Sequence, residues 1–442
     1  MNVRPELGPQ PKIAVPKVTE RVLANGLRVA AVRRAGVPLV EVRLRLPFAG
    51  TTRAHLAATS VLTETMFAGT PERDAEGIAA AVQALGGSLG AGADADRLAV
   101  SGSALAENLG PLLNLLAEVL GSAAYPADEV DGERERLVEE IAIALTTPST
   151  LAGEALAQRA FGRHPYAWGL PTPDEVRAVT PAALRRLHAS RIGPAAALLV
   201  IVGDVAPGKA LDAAEAALGD WSAQGRKTVS MSVPPAFAPG GIALLDRPDS
   251  VQTCLRMIGL GPARSDPDHA ALVAANTVFA GYFSSRLVAN IREDKGYTYS
   301  PHAGLDHAAL ATTLTISADV ATEVTAPALV ETSYELAKVA ALPVTQAELE
   351  AARRYLVGTL ALSTSSQAGL ATTLARLIDA GPGSAYLRDY PAALAKVTVD
   401  SAYEAARRWL APSAMATVLV GDATVIGPSV AALGTVTPMT LA

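Results

Sequence analysis

The 442-residue chain carries one pattern twice. Val179-Thr180 heads a helical segment leading to a strand that ends at Gly203-Asp204. Val397-Thr398 heads another, leading to a strand that ends at Gly421-Asp422. Both pairs lie 218 residues apart (397 against 179, 421 against 203) with no gap, and Pro173 and Pro391 keep the same offset. A duplication of this kind predicts two homologous halves. In each half, runs of strands are interrupted by paired helices. The expected fold is therefore α+β, each half a mostly antiparallel sheet with helices packed on one face.

The local patterns agree. Residues 21–33, RVLANGLRVAAVR, read as a hairpin about Asn25-Gly26, a strong short-range turn signal. Val40, Val42, Leu44 and Leu46 alternate with Glu41, Arg43 and Arg45, the period of a half-buried strand. Leu109, Leu112, Leu113, Leu116 and Leu120 mark one face of an amphipathic helix. Residues 222–241, SAQGRKTVSMSVPPAFAPGG, break the composition with three prolines and three glycines in no period, as an interdomain linker does. The expected domains are thus 1–221 and 242–442.

Bulk properties remove several function classes. A net charge of −6 is not the electrostatic footprint of a nucleic-acid binder. The one cysteine, Cys254, excludes a disulfide framework and a cysteine-based zinc site, and its strand-like setting predicts a buried small hydrophobe. The N-terminal residues hold no apolar run suited to a signal peptide, and no stretch reaches the ~20 apolar residues of a membrane span. The expectation is a cytoplasmic protein with no membrane partner.

The densest functional signal is residues 281–300, GYFSSRLVANIREDKGYTYS. Leu287 and Ile291 lie four apart on one helical face, with Val288 beside them. Arg292 follows on the adjoining face, and Gly296 fits the position after a helix end, where positive φ costs glycine little. Tyr297 and Tyr299 alternate in the next expected strand and so point to opposite sides. Arg292 and Tyr299 are then placed to converge. A forked guanidinium donor and a phenolic donor together suit a peptide carbonyl or an oxyanion. The plainer alternative is a solvated charged helix followed by two strand tyrosines.

This stretch resembles the R/Y motif of the pitrilysin/insulinase-type zinc metallopeptidases, the inverzincins. Further landmarks in the same order are LANGLRV at 23–29, FAGT at 67–70, ALGGSLGA at 84–91 and HPY at 164–166. The resemblance runs from about residue 18 to 425 and implies duplicated α+β halves. It also implies that Arg292 and Tyr299 bind substrate from the half opposite the zinc, with Gly281, Phe283, Ser284, Ser285, Arg286 and Gly296 as supporting residues.

The zinc motif itself is missing. Family members that cut peptides carry H-x-x-E-H on the first long helix, two histidines on one face holding Zn²⁺ and a glutamate activating water. Counting back from FAGT, that motif falls on residues 60–64, SVLTE. Ser60, Thr63 and Glu64 stand where histidine, glutamate and histidine are needed, and His55 is the segment's one histidine. Glu139 and Glu140 occupy the region of the family's third ligand. His302, Asp306 and His307 form a cluster, but their spacing suits neither one helix face nor one strand face. The chain is expected to hold no metal or other cofactor of its own.

With one half of the machinery kept and the other lost, the resemblance implies the non-zinc subunit of a heterodimeric metalloendopeptidase. The expected partners are a homologous H-x-x-E-H subunit, which carries the zinc, and a peptide substrate. The alternative is a scaffold or peptide-binding protein of the same fold, like the core subunits of respiratory complexes.

Overall fold

The computed structural model describes residues 15–222 and 229–441; residues 223–228 of the expected linker and the N-terminal residues 1–14 lie outside the described residues. Within 229–241 there is no helix or strand. The first group of strands is β1 Thr19–Val22, β2 Arg28–Arg33, β3 Leu39–Pro47, β4 Ser88–Ala93, β5 Arg97–Leu105 and β6 Leu198–Gly203. The second is β7 Ile242–Asp246, β8 Gln252–Leu260, β9 His302–His307, β10 Thr312–Ala321, β11 Ala416–Gly421 and β12 Val436–Met439.

They form two six-stranded sheets, ordered β1-β2-β6-β3-β5-β4 and β12-β7-β11-β8-β10-β9. Adding five to each strand number of the first sheet reproduces five consecutive positions of the second. β2 runs parallel to β6, as β7 does to β11, and the other neighbours within those five are antiparallel. The outer strands differ, since β1 is antiparallel to β2 and β12 parallel to β7. β6 and β11 stand residue for residue at the 218 offset. Thr180 and Thr398 play the same part, each accepting from the N–H three residues on to cap a helix. The proline match does not share this equivalence. Pro173 opens the short helix Pro173–Arg177, whereas Pro391 lies inside the helix Tyr386–Lys396.

The hairpin at Asn25-Gly26 forms with Gly26 at φ 89°. Its loop is five residues long rather than two, because Leu23 and Leu27 are drawn into the core at 4% and 0% exposure. Asn25 ties it down by donating to the carbonyls of Leu218 and Trp221.

Each half lays its own helices on one face of its sheet. Val40, Val42, Leu44 and Leu46 pack with Leu112, Leu113 and Leu116 in the first half, and Leu255, Leu314 and Ile316 pack with Phe279 and Leu336 in the second. The opposite face of each sheet takes one helix from the other half. Helix Gln367–Asp379 places Leu370, Leu374 and Ile378 against Ala30, Val200 and Val202. Helix Pro148–Phe161 places Ala152, Ala155 and Leu156 against Ile258, Val418 and Val420. These two helices end 218 residues apart, so the exchange follows the duplication. It explains why β6 and β11 are buried at every residue and read as unbroken apolar runs. Cys254 sits in the second of these layers at 4% exposure, and burial pushes its thiol up to about 12. Polar contacts lock the exchange. Asp379 accepts from Arg45 Nε and Arg97 Nε at 3.0 Å each, and Gln158 Nε2 donates to the Thr440 carbonyl at 3.1 Å.

Candidate functional site

The motif at 281–300 begins at the end of one π-helical turn and, after a bend, contains a second. The first, Thr277–Gly281, is kinked at Ala280, and the second, Val288–Asp294, carries Arg292. π-helical turns are rare and concentrate at functional sites. Gly281 sits in a close-packed position, since a Cβ there would meet Thr277 Oγ1 at 3.2 Å and the Asn276 carbonyl at 3.4 Å, and Thr277 would have to give slightly. Leu287 and Ile291 are fully buried, and Ser285 is 1% exposed while Ser284 faces solvent. Gly296 takes φ 65°, donating its N–H to the Arg292 carbonyl (3.1 Å), and Tyr297 donates to that of Ile291 (2.8 Å).

The expected strand at Tyr297–Tyr299 starts later. Thr298 makes a single bridge to Val320, and the continuous ladder with β10 begins at His302. Pro301 lacks the N–H that an earlier ladder would use. The two tyrosines still diverge, Tyr297 packing on the core and Tyr299 remaining 78% exposed. Arg292 and Tyr299 do converge. The Arg292 guanidinium carbon lies 4.6 Å from the Tyr299 ring centroid and 4.7 Å from that of Phe283, and Nε reaches Glu293 Oε1 at 3.1 Å. Phe283 is itself 60% exposed. The two rings hold the cation by attraction to their faces. The cluster is thus a charged forked donor and a phenolic hydroxyl on an open aromatic surface, chemistry that fits a peptide carbonyl or carboxylate.

The degenerate zinc positions lie together on helix Arg53–Thr65 and line an open cleft of about 490 Å³. Ala91, Gly92 and Ala93 of the sheet-edge strand β4 and Trp168 line it as well. Ser60 Oγ donates to the Leu56 carbonyl and Thr63 Oγ1 to that of Ser60, so both hydroxyls are turned onto their own helix. Glu64 and Glu140 are brought together, but around an arginine. Arg136 pairs with Glu64 at 2.9 Å and also with Glu133 and Glu140. Its pKa is raised, chiefly by the hydrogen bond to Glu133. These residues do not fit zinc, because none of them is an imidazole or thiolate and a guanidinium holds the carboxylates, while His55, the histidine that also lines the cleft, is bonded through Nε2 to the Phe48 carbonyl at 2.9 Å. Among the described residues no group of three or more His, Cys, Asp or Glu is arranged to hold a metal ion.

Two histidines that are remote in sequence meet. His269 Nε2 lies 3.3 Å from His307 Nε2, and His307 Nδ1 is 3.0 Å from Thr312 Oγ1. His302, on the same strand as His307, is exposed and apart from this pair. Sequence spacing offered no signal for the meeting, which depends on how β9 packs. Burial lowers His269 to about 4 and His307 to about 3, the positive Arg264 adding to both. An unfolded histidine binds its proton near 6.5, whereas these rings stay neutral in the fold. Their contribution is therefore fully present above pH 6.5 and is lost as pH falls towards the folded values. Stability should drop across that window by up to ~1.4 kcal/mol per pH unit for His269, with less from the more open His307. Urea denaturation across the window checks this. His269→Asn should flatten the slope, and an unchanged slope would remove the assignment.

Comparison with known proteins agrees with this geometry. Residues 56–174 match the family model described as Insulinase (Peptidase family M16), and residues 178–356 match Peptidase M16 inactive domain. A protein of Mycobacterium leprae described as an uncharacterized zinc protease is 30% identical over 354 residues, covering 78% of each chain. The crystal structure of a peptidase M16 inactive domain from Pseudomonas fluorescens superposes with a TM-score of 0.83 at 26% identity, covering 92% of this chain and 98% of that one. A protease from Helicobacter pylori shares the fold at a TM-score of 0.81 and 20% identity, over 92% of this chain and 100% of its own. With its duplicated sheets and both halves matched, this chain belongs to the M16, insulinase-type, peptidase family.

Proposed function

We propose that this chain is the non-zinc subunit of a heterodimeric zinc metalloendopeptidase. The observation that carries the reading is the meeting of Arg292 with Tyr299 on an exposed surface. A chain that served only as a scaffold has no need of two such donors on an open face. The match of residues 178–356 to an inactive-domain model and the zinc-protease description of a relative support it.

In this reading hydrolysis belongs to a partner that bears H-x-x-E-H and supplies the zinc chemistry. This chain binds and orients. Arg292 holds a substrate carbonyl, and the Tyr299 hydroxyl donates to the oxygen on which negative charge develops. The substrate is an unfolded or precursor peptide, and the exposed edge of β4 in the first half offers it main-chain pairing.

The test is peptidase activity on fluorescein-labelled β-casein, an unstructured substrate. It compares this chain alone, a homologue bearing H-x-x-E-H alone, and the two mixed. Activity confined to the mixture and abolished by a chelator is expected. A stable pair with no activity would replace the reading with that of a scaffold, and activity of this chain alone would overturn it.

A further inference from the structure

The helix that carries Arg292 is held from three sides. Leu287 and Ile291 enter the core at 0% exposure. Arg286 makes a forked pair with Glu348 at 2.7 and 2.9 Å, and Glu348 also closes the capping box of helix Gln346–Ser363 through Thr345. Asn290 Nδ2 donates at 3.0 Å to both Glu331 Oε2 and Glu335 Oε1, carboxylates four apart on one face of helix Thr325–Ala341. Arg292 follows Asn290 by two residues, roughly half a turn further round this π-helical segment. With Asn290 fixed on that neighbouring helix, Arg292 must leave on the far side, where Phe283 and Tyr299 stand.

This arrangement is costly for a packing junction. Glu335 is 3% exposed, and Ser285 Oγ, Arg286 Nη1, Asn290 Oδ1 and Glu335 Oε2 are buried without a hydrogen-bond partner. They are four of the nine such side-chain atoms among the described residues, gathered on one junction. Each such group gives up its bond to water without a replacement, and apolar residues would fill the same volume more cheaply. Polar contacts are directional, however, whereas leucine and isoleucine tolerate a rotated helix.

We propose that Asn290 and Glu335, with the Arg286–Glu348 pair, are positioning residues that set the rotation of this helix so that Arg292 meets Tyr299. The inference rests on the reading of Arg292 as a peptide-binding group. The experiment is fluorescence anisotropy of fluorescein-labelled β-casein with the full chain, below the unfolding temperature of every variant. It compares Arg292→Ala, Asn290→Leu, the double variant and Glu335→Gln. Asn290→Leu should weaken binding roughly tenfold in the native background and not at all once Arg292 is alanine. Glu335→Gln keeps an acceptor for Asn290 and should bind as the native chain does.

A loss from Asn290→Leu that persists in the Arg292→Ala background would overturn the proposal, as would no loss from Asn290→Leu. Should that variant not fold, Asn290→Ser serves in its place. If Arg292→Ala itself leaves binding unchanged, the peptide-binding reading of Arg292 falls first and the positioning role falls with it. If Arg292→Ala weakens binding and the Asn290 variant does not, the positioning role alone falls.

Discussion

On the proposed reading, Arg292→Ala in a mixture of this chain with an H-x-x-E-H homologue should lower kcat/KM on labelled casein by ~10²–10³. The size follows from what is removed. Arg292 is the charged donor of the cluster, and two rings at 4.6 and 4.7 Å order it before any peptide arrives. A donor held in advance costs little reorganisation when charge develops on the substrate oxygen. Tyr299→Phe separates the two contributions. It keeps the ring that packs on Arg292 and deletes the hydroxyl alone, so its effect on kcat reports the phenolic donor. Zinc binding by the partner should be the same in both variants. Turnover unchanged by both would dismiss the role of this cluster and leave the fold as its explanation.

Leu374→Ala is expected to cost on the order of 2–5 kcal/mol in unfolding free energy. Leu374 is fully buried, but in the layer where the second half's helix lies on the first half's sheet rather than within either half's own core. Its truncation opens a cavity between the halves and weakens the docking of helix Gln367–Asp379, whose last residue binds Arg45 and Arg97. Urea denaturation measures the loss, and Leu116→Ala, buried in the first half's own core, is the comparison. A cost well below 1 kcal/mol for Leu374→Ala would mean the exchanged helix contributes little to holding the halves together.

The parts of the fold legible in the sequence are those written in local period. Alternation at Val40, Val42, Leu44 and Leu46 marks β3 because a strand turns successive side chains to opposite faces. The spacing of Leu109 to Leu120 marks a helix because residues three and four apart share a face. The 218-residue repeat makes five strands of each sheet equivalent because like sequences close like ladders. The meeting of Arg292 with Tyr299 is local in the same sense, a helix end and the turn after it. Equally legible was the loss of the zinc histidines, since Ser60, Thr63 and Glu64 are simply different residues.

What tertiary structure alone decided lies between residues far apart in the chain. The amphipathic pattern of Gln367–Asp379 shows a face to be buried but not against which sheet, and the structure lays it on the other half. Arg136 among Glu64, Glu133 and Glu140, the contact of His269 with His307, and Asn290 between Glu331 and Glu335 all depend on how separate elements dock. Periodicity records which side of an element is buried, because backbone geometry sets the spacing of its side chains. It carries no record of the partner, which the packing of the whole chain selects.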